Sequence, residues 1–261
     1  MTNIQAFILG ILEGVTEFLP ISSTGHLTLA SHFMGIVQND QFIVFEIAIQ
    51  LGAILAVLFF YWKRFFDLEL LQKLFIAFLP TGILGLFVYK YIKVLLASEF
   101  IVAVSLILGG IVLILIEKIY AGKMRSIFPA LHLDQKISSI NYKQSFILGL
   151  AQSVAMIPGV SRSGATIVAG LLMNIERKVL IEFTFLLAVP TMSAATLYSL
   201  YKNKDILSSD YLGTIFVGFI TSFIVATVVI KFLLEYIKKY DFVPFGIYRI
   251  IFGFILLIFL L

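Results

Sequence analysis

The chain contains no cysteine. A disulfide framework, a thiolate nucleophile and a cysteine metal site are therefore excluded, and thiols give no hint of redox compartment. Charge is scarce too: Asp, Glu, Lys and Arg make up 13% of the 261 residues, against roughly 25% in soluble domains. That scarcity excludes a charge-rich disordered tail, a charge-laced coiled coil and a basic nucleic-acid face. Residues 1–12 hold no Lys or Arg, and Glu13 and Glu17 interrupt the apolar stretch that follows. No cleaved signal peptide is expected from that pattern.

Apolar side chain is what the sequence has in excess. Hydrophobic residues reach 61% and mean hydropathy is +1.06. A soluble fold cannot hide that much apolar surface, so the expected class is an all-α polytopic membrane protein. The net charge of +4 fits Lys and Arg concentrated in cytoplasmic loops better than an anionic partner.

About 20 apolar residues cross the hydrocarbon core. Six stretches meet or approach that length: 42–62, 71–89, 100–116, 181–201, 211–230 and 242–261. Glu46, Gln50, Glu182 and Arg249 fall inside them, tolerable if charges snorkel to the interface. Pro80, Pro190 and Pro244 are expected at kinks or ends.

Two further apolar segments, 5–34 and 144–173, break in the middle. The first breaks at Pro20-Ile21-Ser22-Ser23-Thr24-Gly25 and the second at Pro158-Gly159-Val160-Ser161-Arg162-Ser163-Gly164. Each half of about 13 residues is too short to span at 1.5 Å per residue, which predicts two re-entrant helical hairpins. Such backbone is tolerated only where it is buried in protein or lines a cavity. A shift of 139 residues lays one segment on the other, with ten identities between Phe7–Ile36 and Phe146–Ile175. The chain is thus expected to be a single integral membrane domain, 1–261, duplicated as repeats of about 1–125 and 140–261. Each half holds one hairpin and three transmembrane helices. Three is odd, so the repeats are expected to be inverted, with the functional site near the midplane where the broken helices meet.

Sides follow from counting Lys and Arg. One side, with both termini and the 90–99 and 202–210 loops, holds Lys90, Lys93, Lys202 and Lys204; the other side holds thirteen such residues. The positive-inside rule then puts both termini outside, with the first hairpin entering from the outer face.

The chemistry sits at the hairpin tips. Glu13 and Glu17, four apart, share a helix face. Two carboxylates at membrane depth need a divalent cation, a proton or an arginine, or else a solvated cleft. Mg²⁺ or Ca²⁺ held by Glu13 and Glu17 against a substrate phosphate is the expected arrangement. Ser22, Ser23, Thr24, Gly25 and His26 place hydroxyls, a glycine and an imidazole at a helix start, where free N–H groups favour phosphate. The plainer reading is an N-cap, which needs one hydroxyl. His26 is the acid–base candidate, whereas His32 and His132 are read as structural. Ser161, Arg162, Ser163, Gly164 and Thr166 repeat the pattern and add a guanidinium that grips phosphate bidentately or simply neutralises a glutamate. Glu13, Glu17 and His26 align with Gln152, Met156 and Ala165, so acid–base and metal groups belong to the first half and the anion clamp to the second.

The runs Glu13–His26 and Pro158–Thr166 resemble the two signatures of the bacterial undecaprenyl-diphosphate phosphatase (bacitracin-resistance) family. Phe45–Gly52 and Glu182–Pro190 also look like stretches of that family, and the resemblance covers essentially the whole chain. It implies a hydrolase of the bacterial cytoplasmic (inner) membrane that converts undecaprenyl diphosphate to the monophosphate, recycling the carrier of peptidoglycan precursors and conferring bacitracin resistance. It also implies a divalent cation and an active site open to the outer face. Glu17, Ser23, His26 and Arg162 carry over as the catalytic core, with Glu13, Ser22, Ser161 and Thr166 in support. Ser23 is expected as nucleophile with His26 or Glu17 taking its proton; attack by His26 or by water are the alternatives. The expected partners are the polyprenyl diphosphate, the bilayer and a second copy in a homodimer, with no nucleic acid. A transporter or flippase of polyprenyl phosphate lipids is the competing reading, because inverted repeats with broken helices are transporter architecture.

Overall fold

The computed structural model describes residues 1–37, 39–96, 98–127, 135–202 and 209–260. Among these, the chain is all helical: ten α-helices, two short 3₁₀ turns and no strand. In order they are α1 (Asn3–Thr16), α2 (Ser23–Phe33), α3 (Asp40–Tyr61), α4 (Leu68–Leu96), α5 (Glu99–Ile127), α6 (Tyr142–Val154), α7 (Arg162–Leu172), α8 (Arg177–Lys202), α9 (Ser209–Tyr236) and α10 (Val243–Leu260).

Both expected hairpins form, as α1–α2 and α6–α7, with breaks at Glu17–Ser22 and Ala155–Ser161. Five helical stretches are long and apolar enough to cross a membrane: Asp40–Phe66, Leu68–Val88, Glu99–Gly122, Arg177–Ser199 and Tyr211–Tyr236. The protein is a multi-pass membrane protein. The sixth expected span is shorter. α10 has 18 residues, about 27 Å at 1.5 Å per residue, slightly less than the roughly 30 Å hydrocarbon core. The expected 90–99 loop is mostly helix, since α4 continues to Leu96. Residues 203–208 and His132 lie outside the described residues. Pro80 and Pro190 sit inside α4 and α8, and Pro244 is the second residue of α10.

The 139-residue offset recurs in local structure. Thr2 caps α1 in a capping box with Gln5, and Asn141 caps α6 in one with Gln144. At the other end α2 closes on Gly35 (φ +63°) and α7 on Asn174 (φ +57°). There Ile36 N–H donates to Ser31 O and Ile175 N–H to Gly170 O, the bond pattern of a left-handed C-terminal cap.

Packing exchanges the hairpins between halves. α1 lies along α9 and α6 along α4, while α5 packs on α10 and α3 on α8 and α9. Small residues permit these approaches. A Cβ on Gly10 of α1 would stand 2.6 Å from Gly218 O of α9, and one on Gly149 of α6 would collide with Ala77 O of α4. Large apolar residues such as Phe59, Phe75, Leu108, Val228 and Ile258 are exposed, whereas Glu13, Ser163, Thr166, Thr184 and Arg249 are buried. That apolar exterior and polar interior suit a lipid solvent.

Candidate active site

The two breaks meet. Ser163 Oγ, fully buried, donates to the carbonyl of Leu19 across the pair at 3.0 Å, and lies 3.0 Å from Ser161 Oγ. Around this junction Glu17, Ser23 and Arg162 form one hydrogen-bonded chain. Ser23 Oγ donates to Glu17 Oε2 at 2.8 Å, and Arg162 Nη2 donates to Glu17 Oε1 at 3.1 Å. Arg162 Nη1 donates to Thr184 O of α8, and its buried Nε has no partner among the described residues. All three side chains are nearly closed from solvent yet remain reachable: Glu17 is 8% and Ser23 7% exposed.

The helix starts differ. Ser161 caps α7 by accepting from Gly164 N–H, whereas Ser22 makes no side-chain cap to α2. Ser22 also has φ +69°, a conformation that non-glycine residues hold at about 1–3 kcal/mol and that concentrates at functional sites. Its strain leaves the first amides of α2 without a capping hydroxyl, beside Ser23. An uncovered helix start of this kind attracts anions.

His26 is placed one turn along from Ser23 but bonds elsewhere. Nδ1 donates to Ser22 O at 2.7 Å, since a carbonyl can only accept, and Nε2 lies 2.6 Å from Tyr248 Oη. In the neutral ring, Nε2 then accepts from the Tyr248 hydroxyl. Phe252 stacks on the imidazole with centroids 4.1 Å apart. Of the two bases expected for Ser23, Glu17 is therefore in contact with it here, and His26 is engaged by α10.

The remaining expected residues divide. Thr166 donates to Arg162 O and Ser163 O and accepts from Thr184 Oγ1, bracing the second tip. Gly25 faces Leu106 of α5, where a Cβ would approach to 2.9 Å; Gly164 faces Arg249 at 3.1 Å. The Thr24 carbonyl accepts from Thr28 Oγ1. Arg249 and Tyr248 were not expected at the site. Arg249 does not snorkel: it is 2% exposed and donates to carbonyls of Pro20, Gly159, Ser105 and Leu106.

Glu13 is wholly buried, and both its carboxylate oxygens lack a hydrogen-bond partner among the described residues. Glu17 and Glu46 are its acidic neighbours and Arg162 its cationic one. Two orphaned hard oxygens beside a second carboxylate fit a divalent cation that completes its shell with phosphate and water. No cluster of three or more His, Cys, Asp or Glu side chains spaced for a metal occurs among the described residues.

A family model described as "Bacitracin resistance protein BacA" matches residues 6–255. Over 253 residues the chain is 51% identical to an "Undecaprenyl-diphosphatase" from Sulfurihydrogenibium sp. (strain YO3AOP1), covering 97% of each. It is 50% identical over 261 residues to a protein of the same name from Wolinella succinogenes, covering 100% of this chain and 99% of the other. A third, from Methanococcus aeolicus, is 48% identical over 260 residues and covers 99% of each.

Proposed function

Since the chain belongs to the bacitracin resistance protein BacA family, we propose that it hydrolyses undecaprenyl diphosphate to undecaprenyl phosphate and inorganic phosphate. The observation that carries the mechanism is the Arg162–Glu17–Ser23 chain at the junction of the two breaks.

The terminal phosphoryl group sits over the uncapped start of α2, with Arg162 turning its fork from Glu17 toward the phosphoryl oxygens. Glu17 accepts the Ser23 proton as Oγ attacks the terminal phosphorus. The bond from that phosphorus to the bridging oxygen breaks, and undecaprenyl phosphate leaves with the bond's electron pair. Glu17 then passes its proton to solvent and takes one from water. That water attacks the phosphoserine, phosphorus–Oγ cleaves, and the released Oγ is reprotonated as inorganic phosphate departs. Arg162 and the α2 amides meet the charge that develops on the oxygens. Glu13, with Glu17, would hold Mg²⁺ or Ca²⁺, which when bound neutralises diphosphate charge. Tyr248 at Nε2 and the Ser22 carbonyl at Nδ1 hold the His26 ring in place one turn from Ser23.

The inner-membrane location is supported by the family, and the outward-facing site and outside termini by the thirteen-to-four distribution of Lys and Arg. The paired caps and exchanged hairpins support a duplication with inverted halves. That symmetry also favours the second reading, a lipid flippase. The two separate in one assay: purified wild-type protein in detergent should release phosphate from undecaprenyl diphosphate, and Ser23→Ala should lose about 10²–10⁴-fold in kcat. A wild-type protein that releases none is not a phosphatase, and a fully active Ser23→Ala protein has another nucleophile.

A further inference from the structure

Arg249 is the largest fully buried side chain among the described residues. Among the described residues no carboxylate lies within ion-pair distance of it, and its hydrogen bonds go to main-chain carbonyls. A charge buried without a counter-ion is expensive, and an apolar residue would serve α10 better if packing were its only task. Its acceptors reveal the task. Nη1 donates to Pro20 O at 3.2 Å and Nη2 to Gly159 O at 3.1 Å, one carbonyl from each break. Pro20 and Gly159 are also separated by the repeat offset of 139 residues. Nε and Nη2 reach Leu106 O and Ser105 O of α5 at 3.3 and 3.2 Å. Carbonyls freed where a helix breaks need donors. A planar guanidinium with five N–H groups reaches two breaks and a helix at once, which the three donors of a lysine ammonium cannot do with the same geometry.

The seat for this group is built into α5. A Cβ on Gly109 would overlap Nη2 of Arg249, and one on Gly164 would stand 3.1 Å from Nη1. Glycine at 109 is therefore what lets the guanidinium lie flat between the breaks.

We propose that Arg249 is a positioning residue for the phosphoryl transfer. It fixes the first tip, with Glu17 and Ser23, against the second, with Arg162, so that one phosphoryl group meets all three. The proposal rests on the hydrolase reading for its kinetic consequence but not for its structural one.

Three variants test it: Arg249→Lys; Gly109→Ala, which displaces the guanidinium and keeps the arginine; and Gly122→Ala as control, since nothing lies within 4 Å of a Cβ there. Because misplacement of about 1 Å can lower rates 10²-fold, the first two should each lose at least about 10-fold in kcat with a smaller change in KM. The control should match wild type. Arg162→Ala should cost less in the Arg249→Lys background than alone, because a displaced second tip no longer presents Arg162. A second readout needs no turnover. The chain has no native cysteine, so spin labels at Phe33→Cys on α2 and Leu172→Cys on α7, both exposed, report the hairpin separation. That distance distribution should broaden in Arg249→Lys and Gly109→Ala and stay sharp in Gly122→Ala. Losses that multiply independently with Arg162→Ala, or kcat falling only in step with melting temperature, overturn the proposal, as does an unchanged distance distribution. Wild-type protein without phosphatase activity overturns the hydrolase reading alone, and the distances then decide the clamp.

Discussion

At the scale of single residues, the site is a contest over one carboxylate. Glu17 accepts from both Ser23 and Arg162, so it balances the proposed nucleophile against a cation. Glu17→Gln keeps the shape, removes the base and leaves Arg162 without its ion pair; kcat should fall about 10²–10⁴-fold, and added Mg²⁺ or Ca²⁺ should not restore it. Arg162→Lys retains charge but loses the fork. Its kcat for phosphate release should fall about 10²–10³-fold, close to that of Arg162→Ala. A lysine variant at wild-type rate would reduce the arginine to charge balance. The cation proposal has its own check. EDTA should abolish phosphate release from wild-type protein, and Glu13→Gln should demand far more Mg²⁺ for half-maximal rate; full activity in EDTA would leave the two carboxylates as acid–base groups only. These residues were legible because they carry unusual chemistry in an apolar sequence. Tyr248 and Arg249 were not. They sit in a run that reads as one more lipid-facing span, and their partners lie 222 and 229 positions away for His26 and Pro20. Only tertiary packing brings them there.

At the scale of elements, the breaks were legible from proline, glycine and hydroxyl runs, and their helices close with matched caps. Those caps make a stability prediction free of the active site. A Cβ on Gly35 meets nothing within 4 Å, and its φ is +63°, so Gly35→Ala adds left-handed strain and no clash. It should destabilise by about 1–2 kcal/mol, lowering melting temperature in detergent by about 2–4 °C per kcal/mol. Asn174, in the same conformation at φ +57°, should gain from Asn174→Gly, though by less because asparagine tolerates that region. Helix ends were read less well than helix existence. α4 runs on through a segment expected as loop, since Tyr89–Leu96 holds no helix-breaking residue to stop it, while the Pro80 inside it interrupts nothing because neighbouring helices in a membrane can supply what a proline removes.

At the scale of the whole molecule, the 139-residue self-similarity was visible in the sequence but the packing of its helices was not. An offset of 139 residues says which helices correspond; it does not say that α1 will pack on α9 and α6 on α4. Periodicity reports which face of a helix is apolar and, where every neighbour is apolar, cannot choose among them. The exchange has a consequence for how the protein is made. α1 emerges from the ribosome long before α9, the helix it packs against, which is complete only at Tyr236. At 5–20 residues per second the roughly 200 residues between them take about 10–40 s to synthesise. Through that interval the segment bearing two glutamates waits at the membrane with its docking partner unmade. Ala6, fully buried in the finished protein, offers a timer. In Ala6→Cys chains stalled before α9 has left the ribosome, the thiol should react with maleimide, and in chains released at full length it should be protected. On this expectation the first hairpin is translated well before the helix it packs against and reaches its final packing only after that helix is made.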